Sequence, residues 1–318
     1  LDMMTERFRK IGRTVSETNM KQVYVPKGST TLLNKWGTAP GFSYEVENTI
    51  FFFLPGVPKE FRAMMDEYVL PELEKRNPQM KKSYMRLVKT FGLPESEVAQ
   101  KLEGIEREGI KLGYRAHFRE IHLRVSSFGD TENEAQSLMY EFLSEIDSRL
   151  GRYVFTTEGE MLEEVVGALL KQYDMTLATA ESCTGGLLSH RITNVPGSSS
   201  CFLEGVISYS NEAKSKILGV PMALIDSHGA VSAQVVEAMA KGVKELAGSD
   251  IGIGISGIAG PGGGTPEKPV GTVYIGLYSE TNGAISHKFH FHGTREEIKL
   301  VTVLNALDLI RQSLLNNV

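Results

Sequence analysis

Short apolar runs alternate with amphipathic stretches over the second half of the chain. Runs typical of buried strands lie at residues 175–180, 202–208, 250–255 and 269–277. Stretches with helical spacing begin near residues 187, 209 and 294. Alternation of strands and helices predicts helices packed on both faces of a sheet. We therefore expect a three-layer α/β domain over residues 153–318.

The elements predicted for residues 79–152 follow a different order. Strand patterns lie at residues 84–91, 112–117 and 121–125, and helix patterns lie at residues 95–104 and 131–150. The second helix begins at Thr131 with Glu134 three residues later, which is the spacing of a capping box. This β-α-β-β-α order predicts a small α+β domain. The pattern breaks at residues 151–159, where we predict a linker.

Residues 1–78 combine an amphipathic stretch, a hairpin and a helix. The amphipathic stretch covers residues 4–11, the hairpin residues 43–53 and the helix residues 59–76. Glycine and proline flank the hairpin on both sides, as expected where the chain turns. The whole chain is thus predicted to be a multidomain α/β protein with boundaries at 78/79 and 152/153.

Three polar or glycine-rich motifs follow the predicted strands of the last domain. They are AESCTGG at residues 180–186, YSNEAK at residues 209–214 and SGIAGPGGG at residues 256–264. Open α/β sheets assemble their sites where strands end. We therefore expect the three motifs to form one site.

The first motif offers a hydroxyl nucleophile. Ser182 falls in the turn after its strand, and Thr184 is a candidate N-cap of the next helix. Gly185 and Gly186 would leave N–H groups of the first turn free to hold an oxyanion. The alternative is that Ser182 and Thr184 only cap the helix.

The second motif offers a base. A serine hydroxyl needs a neighbour to take its proton, and none of the seven histidines lies in the three motifs. A lysine with a lowered pKa can serve instead, as in Ser-Lys variants of the triad. Lys214 is the candidate, although Lys216 is equally near in sequence. Cys183 is a rival nucleophile, because thiols are intrinsically better attacking groups.

Arg295 begins the last predicted helix, behind the capping box formed by Thr294 and Glu297. A first-turn arginine sits at the positive end of the helix dipole, which favours a nearby anion. A phosphate group would be a suitable anion at this position and could be held bidentately. The alternative is an exposed arginine paired with Glu296 or with Glu297.

Composition narrows the possible partners. A net charge of −5 argues against general nucleic-acid binding, and two cysteines make no disulfide framework and suit the cytoplasm. The longest apolar run, at residues 50–55, is too short to span a bilayer, and no signal peptide is visible. His287, His290 and His292 lack Cys, Asp or Glu at ligand spacing, so we predict no metal site.

The motifs and their order resemble those of the CinA family. The resemblance covers residues 161–318 and also rests on GAVS at residues 229–232 and PVGTVYIG at residues 269–276. It implies a nicotinamide mononucleotide deamidase, which releases ammonia and leaves nicotinic acid mononucleotide through an acyl-enzyme. Ser182 would be the nucleophile and Lys214 its base.

The same resemblance implies a set of substrate contacts. Tyr209, Ser256 and Arg295 would touch the nucleotide, although the family commonly has Thr in place of Ser256. The predicted substrate-binding residues are Glu181, Thr184, Gly185, Gly186, Tyr209, Ser256, Gly257, Ala259, Gly260 and Arg295. Deamidation would need no metal or other cofactor, and a homodimer is expected.

The first two domains also resemble parts of CinA proteins. The loops at residues 37–42 and 51–60 are similar to the second half of their molybdopterin-binding-type domain, which is linked to metal-dependent ADP-ribose pyrophosphatase activity. The first half is absent, so we expect a partial α/β domain, and a divalent metal only if that half exists. Residues 79–152 resemble the KH-like middle domain but lack a G-x-x-G clamp, which favours a spacer or dimerisation module. Pyrophosphatase activity and a non-catalytic, competence-related interaction role are the alternative functions.

Overall fold

The computed structural model describes residues 16–316 and, before them, Thr5, Glu6, Phe8, Arg9, Gly12 and Thr14. Half of the amphipathic stretch predicted over residues 4–11 therefore lies outside the described residues. The chain divides into two compact units, Leu1–Lys82 and Ser83–Val318. The predicted three-part division stays a prediction.

The first unit contains a three-stranded antiparallel sheet. Its strands are β1 (Thr30–Leu32), β2 (Gly41–Val46) and β3 (Thr49–Phe53), paired in that order. The pairing of β2 with β3 confirms the predicted hairpin. Helix α1 (Glu17–Met20) precedes the sheet, and a helical segment follows it as α2 (Pro58–Met64), a π-helical turn (Met65–Val69) and α3 (Leu70–Arg76).

The second unit begins with a four-stranded sheet in the order β5-β6-β4-β7. Its strands are β4 (Lys82–Phe91), β5 (Ile110–His117), β6 (Glu120–Gly129) and β7 (Val154–Thr156). Helices α4 (Glu95–Lys101) and α5 (Glu132–Leu150) complete the predicted β-α-β-β-α order. The linker prediction was wrong, because β7 pairs with β4 and so belongs to this sheet.

A mixed five-stranded sheet forms the rest of the second unit, in the order β12-β11-β10-β8-β9. Its strands are β8 (Leu177–Glu181), β9 (Phe202–Ile207), β10 (Ile251–Gly257), β11 (Thr272–Ser279) and β12 (Gly283–His290). Strand β8 runs parallel to both neighbours, whereas β11 and β12 are antiparallel additions.

Helices cover both faces of this sheet, which confirms the predicted three-layer α/β fold. They are α6 (Leu162–Gln172), α7 (Leu187–Thr193), α8 (Asn211–Leu218), α9 (Met222–His228), α10 (Ala233–Ala247) and α11 (Arg295–Leu315). One core contains side chains of α6, α7 and α11, and the other contains side chains of α8, α9 and α10. Among the described residues, no helix is long and apolar enough to cross a bilayer.

Strand β10 shows how the sequence sets the distance between these layers. Its three isoleucines are fully buried on the face that carries α6 and α11. Glycines alternate with them, and a Cβ on Gly252 would lie 2.0 Å from the carbonyl oxygen of Ala240 in α10. Helix α10 can therefore lie directly against the sheet only because glycine occupies this position.

Candidate active site

Ser182 directly follows the central strand β8. Its backbone N–H donates to the carbonyl oxygen of Ile255 at 2.9 Å. The backbone N–H of Ser208 donates to the backbone carbonyl oxygen of Glu181, also at 2.9 Å. These bonds continue the parallel pairing of β8 with β10 and β9 by one residue. The ends of the three strands therefore lie side by side, and the first two motifs meet at the edge where α/β sheets place their sites.

Glu181 holds the loop that carries Ser182. Its fully buried carboxylate accepts hydrogen bonds from the N–H groups of Gly186 (3.0 Å), Leu188 (3.1 Å) and Ser189 (2.8 Å). The Ser189 hydroxyl adds a fourth bond at 2.7 Å. These donors satisfy the charge that burial would otherwise penalise. In this structure Glu181 fixes the loop, and the substrate contact predicted for it stays a prediction.

This arrangement corrects the predicted cap and oxyanion hole. The N-cap of α7 is Gly186, with no side-chain cap, so Thr184 does not have the predicted capping role. Gly185 donates its N–H to Ser182 O at 3.2 Å, and the N–H of Gly186 is bound by Glu181. Both N–H groups proposed for an oxyanion are therefore occupied. The two glycines are needed because their φ angles are +64° and +91°.

Lys214 points into the protein from the N-terminal half of α8. Ser210 caps this helix by accepting a hydrogen bond from the Ala213 N–H at 3.1 Å. The Lys214 side chain is 1% exposed, and its Nζ lies 3.1 Å from Ser182 Oγ, 2.9 Å from the Ser208 carbonyl oxygen and 3.4 Å from that of Tyr209. Burial away from water lowers the pKa of Lys214 from its ordinary value.

The structure favours Lys214 over Lys216 as the candidate base and Ser182 over Cys183 as the candidate nucleophile. Lys216 is exposed on α8, whereas Lys214 reaches the Ser182 hydroxyl. Cys183 is buried, and loss of hydration raises the pKa of its thiol to about 12. A thiol with this pKa stays protonated near neutral pH, and the thiolate is the nucleophilic form. The hydroxyl of Ser182 is thus the better candidate nucleophile.

Two buried hydroxyls near this pair make no hydrogen bond within the described part of the chain. They belong to Thr184, which was predicted to bind substrate, and Ser208, which the sequence did not single out. Both residues are 0% exposed. The substrate contact predicted for Thr184 stays a prediction.

Arg295 and Tyr209 come together at the mouth of the site. Arg295 donates to the Tyr209 hydroxyl at 3.1 Å and to the Gly260 carbonyl at 2.6 Å. The predicted capping box is present, because Glu297 accepts a hydrogen bond from the Thr294 N–H at 2.7 Å. Arg295 forms no ion pair with Glu296 or Glu297 in the described structure, and Tyr209 is 62% exposed.

Lys299 is a further cation that the sequence analysis missed. A Cβ placed on Gly185 would lie 3.7 Å from Lys299 Nζ, so the ammonium group lies beside the Ser182 loop. Lys299 follows Arg295 by one helical turn on α11, and residues four apart share a helix face. This spacing was the available signal. Together Arg295 and Lys299 provide two positive charges at one end of the site.

The other predicted contacts of the third motif have packing roles. The Ser256 side chain is 1% exposed and donates its hydroxyl to the Ala230 carbonyl at 2.7 Å. Ala259 lies in the hydrophobic core, and a Cβ on Gly257 would be 2.7 Å from a methyl group of Val273. These residues therefore have packing roles in this structure, and the substrate contacts predicted for them stay predictions. Gly260 reaches the site through the carbonyl that binds Arg295.

The metal-dependent pyrophosphatase alternative concerns the first unit. Across its described residues, no three His, Cys, Asp or Glu side chains come close enough to share a metal ion. The pyrophosphatase alternative and its divalent metal stay predictions, conditional on the missing first half of the domain.

Two family models match successive segments of the chain. The family model described as CinA C-terminal domain matches residues 159–314, and the damage-inducible protein CinA KH domain matches residues 85–156. A CinA-like protein of Geotalea uraniireducens is 42% identical over 98% of this chain and 74% of its own length. One from Citrifermentans bemidjiense is 43% identical over 98% of this chain and 74% of its own.

A solved structure also matches. The crystal structure of a competence-damaged protein (CinA) superfamily protein from Klebsiella pneumoniae is 34% identical. It covers 49% of this chain and 96% of its own, with a TM-score of 0.47. From the sequence relatives and the two matching domains, we conclude that the chain belongs to the CinA family.

Proposed function

We propose that this chain is an amidohydrolase that converts nicotinamide mononucleotide to nicotinic acid mononucleotide and ammonia. The observation that carries the proposal is the 3.1 Å approach of Lys214 Nζ to Ser182 Oγ in a buried environment. Membership of the CinA family is consistent with an enzyme.

The surroundings of Lys214 favour the neutral amine that a base requires. A neutral amine has two N–H donors and one lone pair. The carbonyls of Ser208 and Tyr209 can take the two donors, at 2.9 Å and 3.4 Å. The lone pair is then available to accept the O–H proton of Ser182. The lowered pKa of Lys214 increases the fraction of protein in this state.

The reaction then follows the logic of Ser-Lys hydrolases. Ser182 Oγ attacks the carboxamide carbon while its proton passes to Lys214 Nζ. The tetrahedral intermediate collapses when the carbon–nitrogen bond breaks, and the Lys214 ammonium protonates the departing nitrogen as ammonia. Water then attacks the resulting ester with Lys214 again taking a proton, which releases the carboxylate and regenerates the Ser182 hydroxyl.

The residues at the mouth of the site suit the rest of the nucleotide. Tyr209 is exposed and can cover the pyridine ring, while its hydroxyl is held by Arg295 at 3.1 Å. Arg295 and Lys299 can bind the phosphate, because guanidinium and ammonium groups both form charge-assisted hydrogen bonds to phosphate oxygens. Neither cation has a carboxylate ion-pair partner within the described residues that would neutralise it.

The proposal is tested by measuring ammonia release from nicotinamide mononucleotide with the whole chain and with Ser182→Ala. Loss of the nucleophile should lower kcat by about 10⁴-fold or more. The variant should still bind the nucleotide, because the phosphate and ring contacts remain. EDTA should not reduce the wild-type rate, since no step uses a metal ion. Comparable turnover by the two proteins would overturn the nucleophile assignment, and no turnover by either would overturn the activity.

A further inference from the structure

The hairpin of β5 and β6 brings two histidines and a glutamate onto one face of the four-stranded sheet. Residues 118–119 connect the strands, and the register pairs His117 with Glu120 and Arg115 with His122. Directly paired residues point to the same side of a sheet, as do residues two apart on one strand. His117, Glu120 and His122 therefore share one face.

The three side chains lie close enough to share one ion. Their ligand atoms are all within 4.8 Å of one another, and His122 Nε2 lies 2.7 Å from Glu120 Oε2. The imidazole rings of His117 and His122 stack with centroids 4.9 Å apart. A tetrahedral zinc shell, with metal–ligand distances of about 2.0–2.2 Å, places its donors about 3.4 Å apart. Small side-chain rotations would reach that geometry.

Burial of Glu120 gives a physical reason for a cation to bind beside its carboxylate. The residue is 3% exposed, and the hydrogen bond that the structure gives its carboxylate comes from His122. A buried carboxylate is costly unless it is paired or coordinates a metal. Two imidazole nitrogens with one carboxylate oxygen form the His₂Glu ligand set that zinc accepts.

A cavity of about 500 Å³ opens onto this ligand set. His117 and Glu120 line it, together with the loop at residues 92–95 and Val301 and Asn305 of α11. Three protein ligands leave the fourth position of zinc to water or another small ligand. The cavity supplies the room for that fourth ligand.

We propose that His117, Glu120 and His122 form a divalent metal site of the zinc class, with an open coordination position facing the cavity. The site is carried by the β5–β6 hairpin, whereas the Ser182–Lys214 pair lies at the end of the five-stranded sheet. The sequence signal is H-x-x-E-x-H across a two-residue turn, which differs from the His287, His290 and His292 pattern considered above.

The test titrates Zn²⁺ by calorimetry into the whole 318-residue chain after EDTA stripping and desalting. One equivalent should bind with a dissociation constant of about 1 μM or tighter. His117→Ala and Glu120→Gln should each weaken binding by about 100-fold or more, beyond the loss typical of an outer-shell partner. The control is His287→Ala/His290→Ala, which removes two exposed histidines of β12 and should leave binding unchanged.

Two further measurements distinguish loss of the metal site from misfolding of a variant. Co²⁺ should give a visible absorption band in the wild type that is lost in His117→Ala, whose exposed side chain can be removed without disturbing the core. Zn²⁺ should raise the melting temperature of the wild type but not of this variant. The proposal is overturned if the wild type binds no Zn²⁺ below about 1 mM. It is equally overturned if His117→Ala binds as tightly as the wild type, or if the β12 control abolishes binding.

Discussion

Lys214 Nζ lies 3.1 Å from Ser182 Oγ, although the two residues are 32 positions apart in the chain. Parallel pairing of β8 with β9 brings their ends together, and α8 begins after the short segment that follows β9. The pair therefore depends on the sheet and not on a local motif. A buried amine beside a hydroxyl is the arrangement that a Ser-Lys hydrolase requires.

Lys214→Ala should lower kcat for ammonia release by about 10²–10⁴-fold, the range for loss of a general base. Lys216→Ala is the matched control, because it removes an exposed lysine two residues away on the same helix. Its rate should equal that of the wild type. Circular dichroism would establish that both variants are folded. Equal losses in the two variants would mean that Lys214 is not the base.

The pH dependence of the reaction should report the lowered pKa of Lys214. Activity requires the neutral amine, so kcat/KM should rise with pH to a plateau, with an apparent pKa below the ordinary value of 10.5. A rate that falls as pH increases from 6 to 9 would contradict this assignment.

The same shift has a consequence for stability. Between the folded pKa and 10.5, unfolded Lys214 holds a proton that the folded form has lost. The free energy of unfolding therefore rises with pH across that window. Denaturant titrations of the wild type and Lys214→Met should show this slope only in the wild type. Parallel pH profiles would contradict the lowered pKa.

Arg295→Ala and Lys299→Ala should raise KM for nicotinamide mononucleotide by about tenfold each and change kcat less. The reason is that each removes one cation from the end of the site proposed for phosphate. Nicotinamide riboside, which lacks the phosphate, provides the control. Its KM should respond far less to Lys299→Ala. An equal effect on both substrates would show that the cation does not bind phosphate.

The sequence predicted the elements of this fold better than the contacts of its side chains. Short apolar runs placed β8, β9 and β10, and the capping box at Thr294 gave the start of α11. Such signals are local, because strand alternation and helix caps involve residues a few positions apart. The linker prediction failed because β7 is only three residues long and is identified by its pairing with β4.

Candidate residues could be chosen from the sequence where a single side chain supplies the chemical group. The partners of backbone N–H groups could not, because several acceptors compete for each of them. Ser182 and Lys214 carry distinct chemistry, so the motifs identified both. Whether a loop N–H group is free depends on which acceptor lies near it in the fold. The Gly186 N–H, which was expected to bind an oxyanion, instead donates to the carboxylate of Glu181, five residues earlier in the chain. Lys299 was missed because its one sequence signal, the four-residue spacing from Arg295 on α11, is shared by any two residues on one helix face.

Glu181→Gln tests whether that buried carboxylate holds the loop that carries Ser182. The glutamine amide keeps the shape of the side chain but replaces one carboxylate oxygen with an NH₂ group. Each carboxylate oxygen accepts backbone N–H bonds, whereas the NH₂ group is a donor and cannot accept them. The variant should lose about 1.5–3 kcal/mol of unfolding free energy, the range for a hydrogen bond to a charged group. It should also lower kcat more than it raises KM, because Ser182 moves with the loop. Glu163→Gln is the control, since it weakens a bond to Arg191 at 2.6 Å without touching the loop. A Glu181→Gln variant with wild-type kcat and unchanged denaturant midpoint would show that the loop is held by other contacts.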